Sequence, residues 1–209
     1  MRLGIFGGSF DPVHYGHLLL AETCREQMCL DRVLFVPNAV SPHKDHATTS
    51  PEARVEMLKL ALGGHPAMHV STLEIERGGV SYTVDTLTRL QQEYQNEKLF
   101  LLMGADSLEE LPTWREPERI CHLAVPLVVR RAGAAEPDIG KLAQLVDPER
   151  LGEIRECQVT MPVMELSSTD IRQRVAAEKS IQYRLPRGVE MYIRGNGLYS
   201  AGNRIGADE

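Results

Sequence analysis

Residues 2–17 read Arg2-Leu3-Gly4-Ile5-Phe6-Gly7-Gly8-Ser9-Phe10-Asp11-Pro12-Val13-His14-Tyr15-Gly16-His17, and this stretch decides the fold. Arg2 to Phe6 is a short, mostly apolar run halted by Gly7-Gly8, the pattern of a buried strand stopped by a turn. Beyond the loop, residues 15–28 set Leu18, Ala21 (or Leu20), Cys24 and Met28 on one helical face. A strand feeding a helix through a glycine-bearing turn opens a parallel α/β sheet.

The same alternation runs outward along the chain. Arg32 to Val36 reads as a strand stopped by Pro37-Asn38. Ser50-Pro51-Glu52 supplies an N-cap, a first-turn proline and a first-turn acid for a helix that buries Val55, Leu58 and Leu62 and ends near Gly63-Gly64. Met68 to Ile75 reads as extended, and residues 83–95 as a helix with Val84, Leu87, Leu90 and Tyr94 inward. Leu99 to Met103, Ala124 to Val129 and Cys157 to Met164 are further strands. Residues 134–150 carry the weakest pattern, loops around a short helix. Two helices follow, from about Ser168 to Glu178 and from about Pro186 to Arg194. The expected fold class is α/β, a Rossmann-like doubly wound parallel sheet. One domain is expected over 1–209, with a small C-terminal helical part from about residue 168. In such sheets the ligand lies beyond the carboxyl ends of the strands, which selects the loops after Phe6, Val36, Met103 and Val129.

Composition narrows the partners. With 23 basic and 29 acidic residues in 209 the formal charge is −6, against a broad nucleic-acid or membrane surface. Cys24, Cys29, Cys121 and Cys157 form no C-x-x-C pair and have no finger-like histidine spacing, so a zinc site is not expected. They read as buried, reduced thiols. No apolar run approaches the roughly 18 residues of a membrane span, and the amino end shows no signal-peptide core. A cytoplasmic enzyme is the expectation.

The loop after Phe6 carries the chemistry. Gly7 and Gly8 let the backbone pass close to a bulky anion with no Cβ in the way. His14 and His17, three apart at a helix start, share one face beside amides that favour anions. Gly16 between them is expected to keep the helix surface open to phosphate. Taken alone, the histidine pair is also compatible with metal ligation or with satisfied core imidazoles; the strand–glycine–helix setting favours phosphate. A dehydrogenase-type G-x-G-x-x-G does not fit Gly4, Gly7, Gly8 and Gly16, and no G-x-x-x-x-G-K-[ST] run exists. Near the other end, Leu166-Ser167-Ser168-Thr169-Asp170-Ile171-Arg172 reads either as a well-capped helix or as a second phosphate-binding helix start with a hydroxyl and a guanidinium.

These two blocks together resemble the H-x-G-H nucleotidyltransferase superfamily, and within it the bacterial nicotinate-nucleotide adenylyltransferases. Intermediate segments extend the likeness in order: Val36-Pro37-Asn38 with Pro42-His43-Lys44, Ser81-Tyr82-Thr83-Val84-Asp85-Thr86-Leu87, Gly104-Ala105-Asp106-Ser107-Leu108 with Pro112-Thr113-Trp114, and Arg130-Arg131. Val80, Leu166 and the tail after Tyr199 depart from the pattern. The resemblance implies adenylyl transfer from ATP to nicotinate mononucleotide, giving deamido-NAD and pyrophosphate, the penultimate step of NAD synthesis. It implies His14, His17, Lys44 and Arg172 as catalytic groups. Gly7, Gly8, Ser9, Phe10, Asp106, Ser168 and Thr169 would join the histidines and Arg172 around ATP. Asn38, Lys44, Thr83, Thr86, Asp106, Trp114 and Arg131 would receive the mononucleotide, with Trp114 stacked on the pyridine ring. Taken without the likeness, Trp114 is equally a packing residue. Mg2+ would arrive on ATP, with no protein ligand named for it. The alternatives are another phosphate acceptor, such as nicotinamide mononucleotide, phosphopantetheine or a sugar phosphate, or a non-catalytic nucleotide sensor. A nucleic-acid binder is disfavoured by charge, and a homo-oligomer stays open.

Overall fold

A computed structural model describes residues 1–41 and 49–200. Among the described residues, six parallel strands form one sheet: β1 Arg2–Gly8, β2 Arg32–Pro37, β3 Met68–Val70, β4 Lys98–Gly104, β5 Val125–Arg131 and β6 Gln158–Met161. Their order is β3-β2-β1-β4-β5-β6. The central strands are continuously apolar because helices cover both faces; Leu3, Ile5, Phe35, Leu99, Phe100 and Val128 are all buried. The chain first spreads from β1 to β3, then returns to lay β4 against the free side of β1. That reversal opens a crevice beyond the carboxyl ends of β1 and β4.

The helices are α1 Tyr15–Gln27, α2 Pro51–Leu62, α3 Leu73–Arg77, α4 Thr83–Glu93, α5 Ala105–Glu110, α6 Pro117–Leu123, α7 Pro148–Glu156, α8 Ser168–Ala176 and α9 Arg187–Gly195. The Ser50 hydroxyl accepts from the Ala53 amide, and Pro51 opens α2 as its position predicts. No described helix is long and apolar enough to cross a membrane.

Four expectations need correction. The segment 68–75 is not extended throughout: its pairing with β2 ends at the bond from the Ser71 amide to the Phe35 carbonyl. Thr72 then starts α3, its hydroxyl bonded to Glu76, and Gly78, with φ of 68°, ends it. Residues 105–123, read without helices, contain α5 and α6, each under two turns and too short to show a period. In 134–150 the expected short helix is a 3-10 turn at Ile139–Leu142, and the end of the segment also starts α7, where the Asp147 carboxylate accepts from the Arg150 amide. The last strand stops at Met161 rather than Met164, because Pro162 has no N–H for the ladder. Cys24, Cys121 and Cys157 are buried free thiols, whereas Cys29 is exposed just past α1. Residues 201–209 lie outside the described part.

Candidate active site

The loop leaving β1 crosses the carboxyl end of the sheet and delivers His14 as the N-cap of α1. Phe10 is its anchor: buried, with φ of 49°, its ring lies 5.3 Å from Phe6, 5.5 Å from Phe35 and 5.1 Å from His17 between centroids. A Cβ on Gly8 would come within 3.1 Å of the Phe10 ring and press on it, a tight contact that glycine avoids. A Cβ on Gly7 would meet nothing within 4 Å and would project into open space. The two glycines therefore serve different ends, and Gly7 is the one that leaves room for a ligand.

His14 and His17 stack, ring centroids 3.8 Å apart and planes 22° from parallel. The His14 amide donates to Nδ1 of His17 at 3.3 Å. With Nδ1 accepting, the N–H of the His17 ring is that of Nε2. His14 is 5% exposed, and its Nδ1 is buried without a hydrogen-bond partner. Gly16 does not hold the helix surface open, as its position suggested. A Cβ there would stand 2.9 Å from Cε1 of His14, so the space belongs to the imidazole.

Burial lowers the His14 pKa from 6.5 to about 4, so the ring is neutral at pH 7 and donates as an N–H rather than as a cation. In the unfolded chain the same ring takes a proton near its ordinary value. Between pH 6.5 and 4 the unfolded state binds more protons, and folding stability falls as pH falls. Substituting His14→Gln is expected to remove that slope: from pH 7.5 to 5 the wild type should lose about 2 kcal/mol more stability than the variant. Urea denaturation at the two pH values measures the difference, and equal losses would mean that His14 is not held neutral by burial.

The second block meets the first. The Ser167 hydroxyl caps α8 by accepting from the Asp170 amide. The Ser168 hydroxyl donates to the Pro12 carbonyl at 2.9 Å. Arg172 donates to the Asp11 carbonyl at 2.8 Å and to the Thr169 hydroxyl at 3.3 Å. Ser168 and Arg172 thus brace the backbone of the motif loop, and Thr169 holds the Arg172 guanidinium.

Beyond Gly7 and Gly8 lies a cavity of about 220 Å³ whose lining includes Ser9, Asn38, Thr83 and Trp114. Thr83 is the first residue of α4, so the amides at that helix start lie at the cavity wall. A larger, open depression of about 900 Å³ on Leu34, His69, Arg77 and Arg89 contains neither motif histidine and no residue of the loop between β1 and α1.

The remaining expected ligands fare differently. Thr86 lines the cavity, but it is buried and its hydroxyl donates to Glu74 at 2.6 Å. Burial raises the pKa of that glutamate. Asn38 gives its amide to the Gly8 carbonyl, while its side-chain and backbone oxygens accept from Arg54. Asp106 is exposed in the first turn of α5 and lies outside the cavity lining. Arg131 is exposed at the end of β5 and is likewise not brought to the cavity. Its strand is separated from β1 by β4, a lateral distance that the sequence does not display. Lys44 lies outside the described residues.

The sequence reading passed over Arg54. Its guanidinium is fully buried at 0% exposure and donates to the Ser9 carbonyl at 2.9 Å, to Oδ1 of Asn38 at 3.2 Å and to the Asn38 carbonyl at 2.7 Å. It therefore ties the loop after β1 to the loop after β2. The signal was present: Arg54 falls in register with Leu58 and Leu62, a cation on the apolar face of α2. Burial pushes its pKa down, opposed by Asp11 and Tyr199 among others.

Comparison with known proteins agrees with this geometry. The cytidylyltransferase-like family model matches residues 5–174. A protein of Thermomicrobium roseum named "Probable nicotinate-nucleotide adenylyltransferase" is 46% identical over 95% of this chain and 91% of its own. One of Thermus thermophilus with the same name is 42% identical over 95% of this chain and 100% of its own. The solved structure of the Plasmodium falciparum nicotinic acid mononucleotide adenylyltransferase complexed with NaAD superposes with a TM-score of 0.73, at 17% identity over 95% of this chain and 97% of that one, a likeness of fold. The chain belongs to the cytidylyltransferase-like family and, within it, to the nicotinate-nucleotide adenylyltransferases.

Proposed function

We propose that the protein transfers the adenylyl group of ATP to nicotinate mononucleotide, giving deamido-NAD and pyrophosphate for NAD synthesis. The observation that carries this reading is one juxtaposition. The open Gly7 backbone lines a cavity walled by Trp114 and the start of α4, and the same loop runs on to the stacked His14–His17 pair.

An oxygen of the mononucleotide phosphate attacks the α-phosphorus of ATP. The bond from that phosphorus to the oxygen bridging to the β-phosphate breaks, and pyrophosphate departs with its electrons. Such transfers depend on positioning and on stabilising charge on the phosphoryl oxygens, so no protein nucleophile is assigned. His14 and His17 hold the triphosphate as hydrogen-bond donors. The backbone from Gly7 to Phe10 lies beneath the nucleotide. Ser168 and Thr169 at the start of α8 are assigned to its phosphates. Arg172 has further N–H groups beyond those on Asp11 and Thr169, and these are assigned to the phosphates as well. Lys44 adds positive charge, and Asp106 contacts the nucleotide's polar groups.

Mg2+ carried by the triphosphate neutralises part of its charge. Among the described residues no group of three His, Cys, Asp or Glu could hold a metal, and the Asp11 carboxylate already accepts from Thr49 and Tyr199. This suits an ion held by phosphate and water. The whole chain is read as one domain whose C-terminal helices serve its own site. The free buried thiols suit a reducing, cytoplasmic setting.

On the acceptor side, Trp114 stacks on the pyridine ring. The nicotinate carboxylate meets Thr83 and the amides at the start of α4, where an anion is favoured. A neutral carboxamide gains less there, by about 1–2 kcal/mol or roughly tenfold in kcat/KM. Pyrophosphate release measured with ATP, Mg2+ and either mononucleotide should show that preference. Equal use of both would remove the carboxylate from α4. Release with neither, from protein that binds ATP, would make the chain a nucleotide sensor.

A further inference from the structure

The Asp11 carboxylate is 2% exposed and lies where three distant parts of the chain meet. Its Oδ1 accepts from the Thr49 hydroxyl at 2.5 Å and from the Tyr199 phenol at 2.6 Å. Its backbone carbonyl takes the bond from Arg172 already described. The motif loop is thus held by side chains brought from elsewhere: Arg54 on Ser9, Arg172 on Asp11, Ser168 on Pro12. Tyr199 reaches this point because the chain reverses after α9. Gly197 and Tyr199 both lie in the left-handed region, with φ of 60° and 63°. That conformation disfavours a tyrosine unless its surroundings hold it.

We propose that Tyr199 is a positioning residue for adenylyl transfer: with Thr49 it clamps the Asp11 carboxylate and thereby fixes the loop that presents His14 and His17. The proposal rests on the phosphate-holding role of those histidines given above. Only Pro12 and Val13 separate Asp11 from the His14 N-cap, so a shift of the aspartate moves the imidazole pair relative to the incoming phosphates. Burial raises the Tyr199 phenol far above its ordinary range, so it remains a donor wherever the protein is folded. Thr49, next to the Ser50 cap, ties the start of α2 to the same carboxylate, so one acceptor registers two elements.

The test uses the full chain with Tyr199→Phe, Thr49→Val and the double variant. Each removes a hydroxyl and keeps the shape. One bond to a charged acceptor corresponds to about a tenfold effect, so kcat for Tyr199→Phe should fall about tenfold. Binding of nicotinate mononucleotide, read from Trp114 fluorescence, should stay within about twofold, because the cavity does not touch Asp11. The double variant should lose less than the product of the single losses, since the two hydroxyls share one carboxylate. An activity-independent readout is the NMR of the histidine rings: His14 and His17 should shift in Tyr199→Phe while His69 and His122 stay. A folded Tyr199→Phe protein with unchanged kcat and unmoved rings would overturn the proposal. So would equal losses of kcat and acceptor binding, the mark of general loosening. A wild type inactive with both mononucleotides would instead sink the proposed reaction, and the ring shifts would still report on the clamp.

Discussion

Replacing His17 by alanine is expected to lower pyrophosphate release by about 10²–10³-fold, the usual cost of losing one preorganised donor to a reacting oxyanion. The side chain has two tasks. Its Nδ1 accepts the His14 amide at the start of α1, and its ring is assigned above to the phosphates. Alanine removes both, so a stability loss of about 1 kcal/mol should accompany the loss of rate. Glutamine separates the two, because it is a favoured residue at this third helical position and can accept the same amide. His17→Gln should therefore recover most of the stability and little of the rate. Thermal unfolding beside steady-state pyrophosphate release makes the comparison. A glutamine variant as fast as wild type would mean that the imidazole matters only as a cap.

Arg54→Ala is expected to be the most destabilising single change at the site, by about 3–5 kcal/mol. The substitution strands the Ser9 carbonyl and both oxygens of Asn38, all accepting from one guanidinium, and leaves a void under the loops. At roughly 2–4 °C per kcal/mol for a chain of this size, the melting temperature should drop by about 10 °C. Arg54→Met refills the volume without the bonds, so it should regain part of the stability while the loops after β1 and β2 lose their tie. ATP affinity should then stay low in the methionine variant, which also lacks the buried positive charge. A melting temperature within about 2 °C of wild type for the alanine variant would show that the guanidinium is not a structural tie.

The legible parts of the sequence were those in which two local patterns meet. A continuous apolar run, a glycine pair and a 3.6-residue period gave β1, its loop and α1 together, and a cap with a proline gave α2. Elements below two turns, such as α5 and α6, leave too few residues for any period to register. Thr86 shows the limit of reading a motif as a set of ligands. Its segment adjoins the cavity, yet burial beside Glu74 engages its hydroxyl inside the protein. Arg131 shows another limit: strand order, which sets its distance from the crevice, emerges only when the sheet is assembled. Arg54 was legible in principle, because a cation in register with Leu58 and Leu62 has to find buried oxygens. Tyr199 was not, since its partner lies 188 positions away and no local pattern encodes that contact.

That separation bears on how the protein is made. The motif loop emerges from the ribosome early, but the hydroxyl that clamps it comes 188 residues later. At roughly 5–20 residues per second, translation reaches Tyr199 about ten to forty seconds after Asp11. Through that interval a nascent chain can pair β1 with β2 and pack α1 against them while its histidines remain unregistered. The roughly tenfold part of the rate that depends on Tyr199 is then acquired only after the rest of the site has been synthesised.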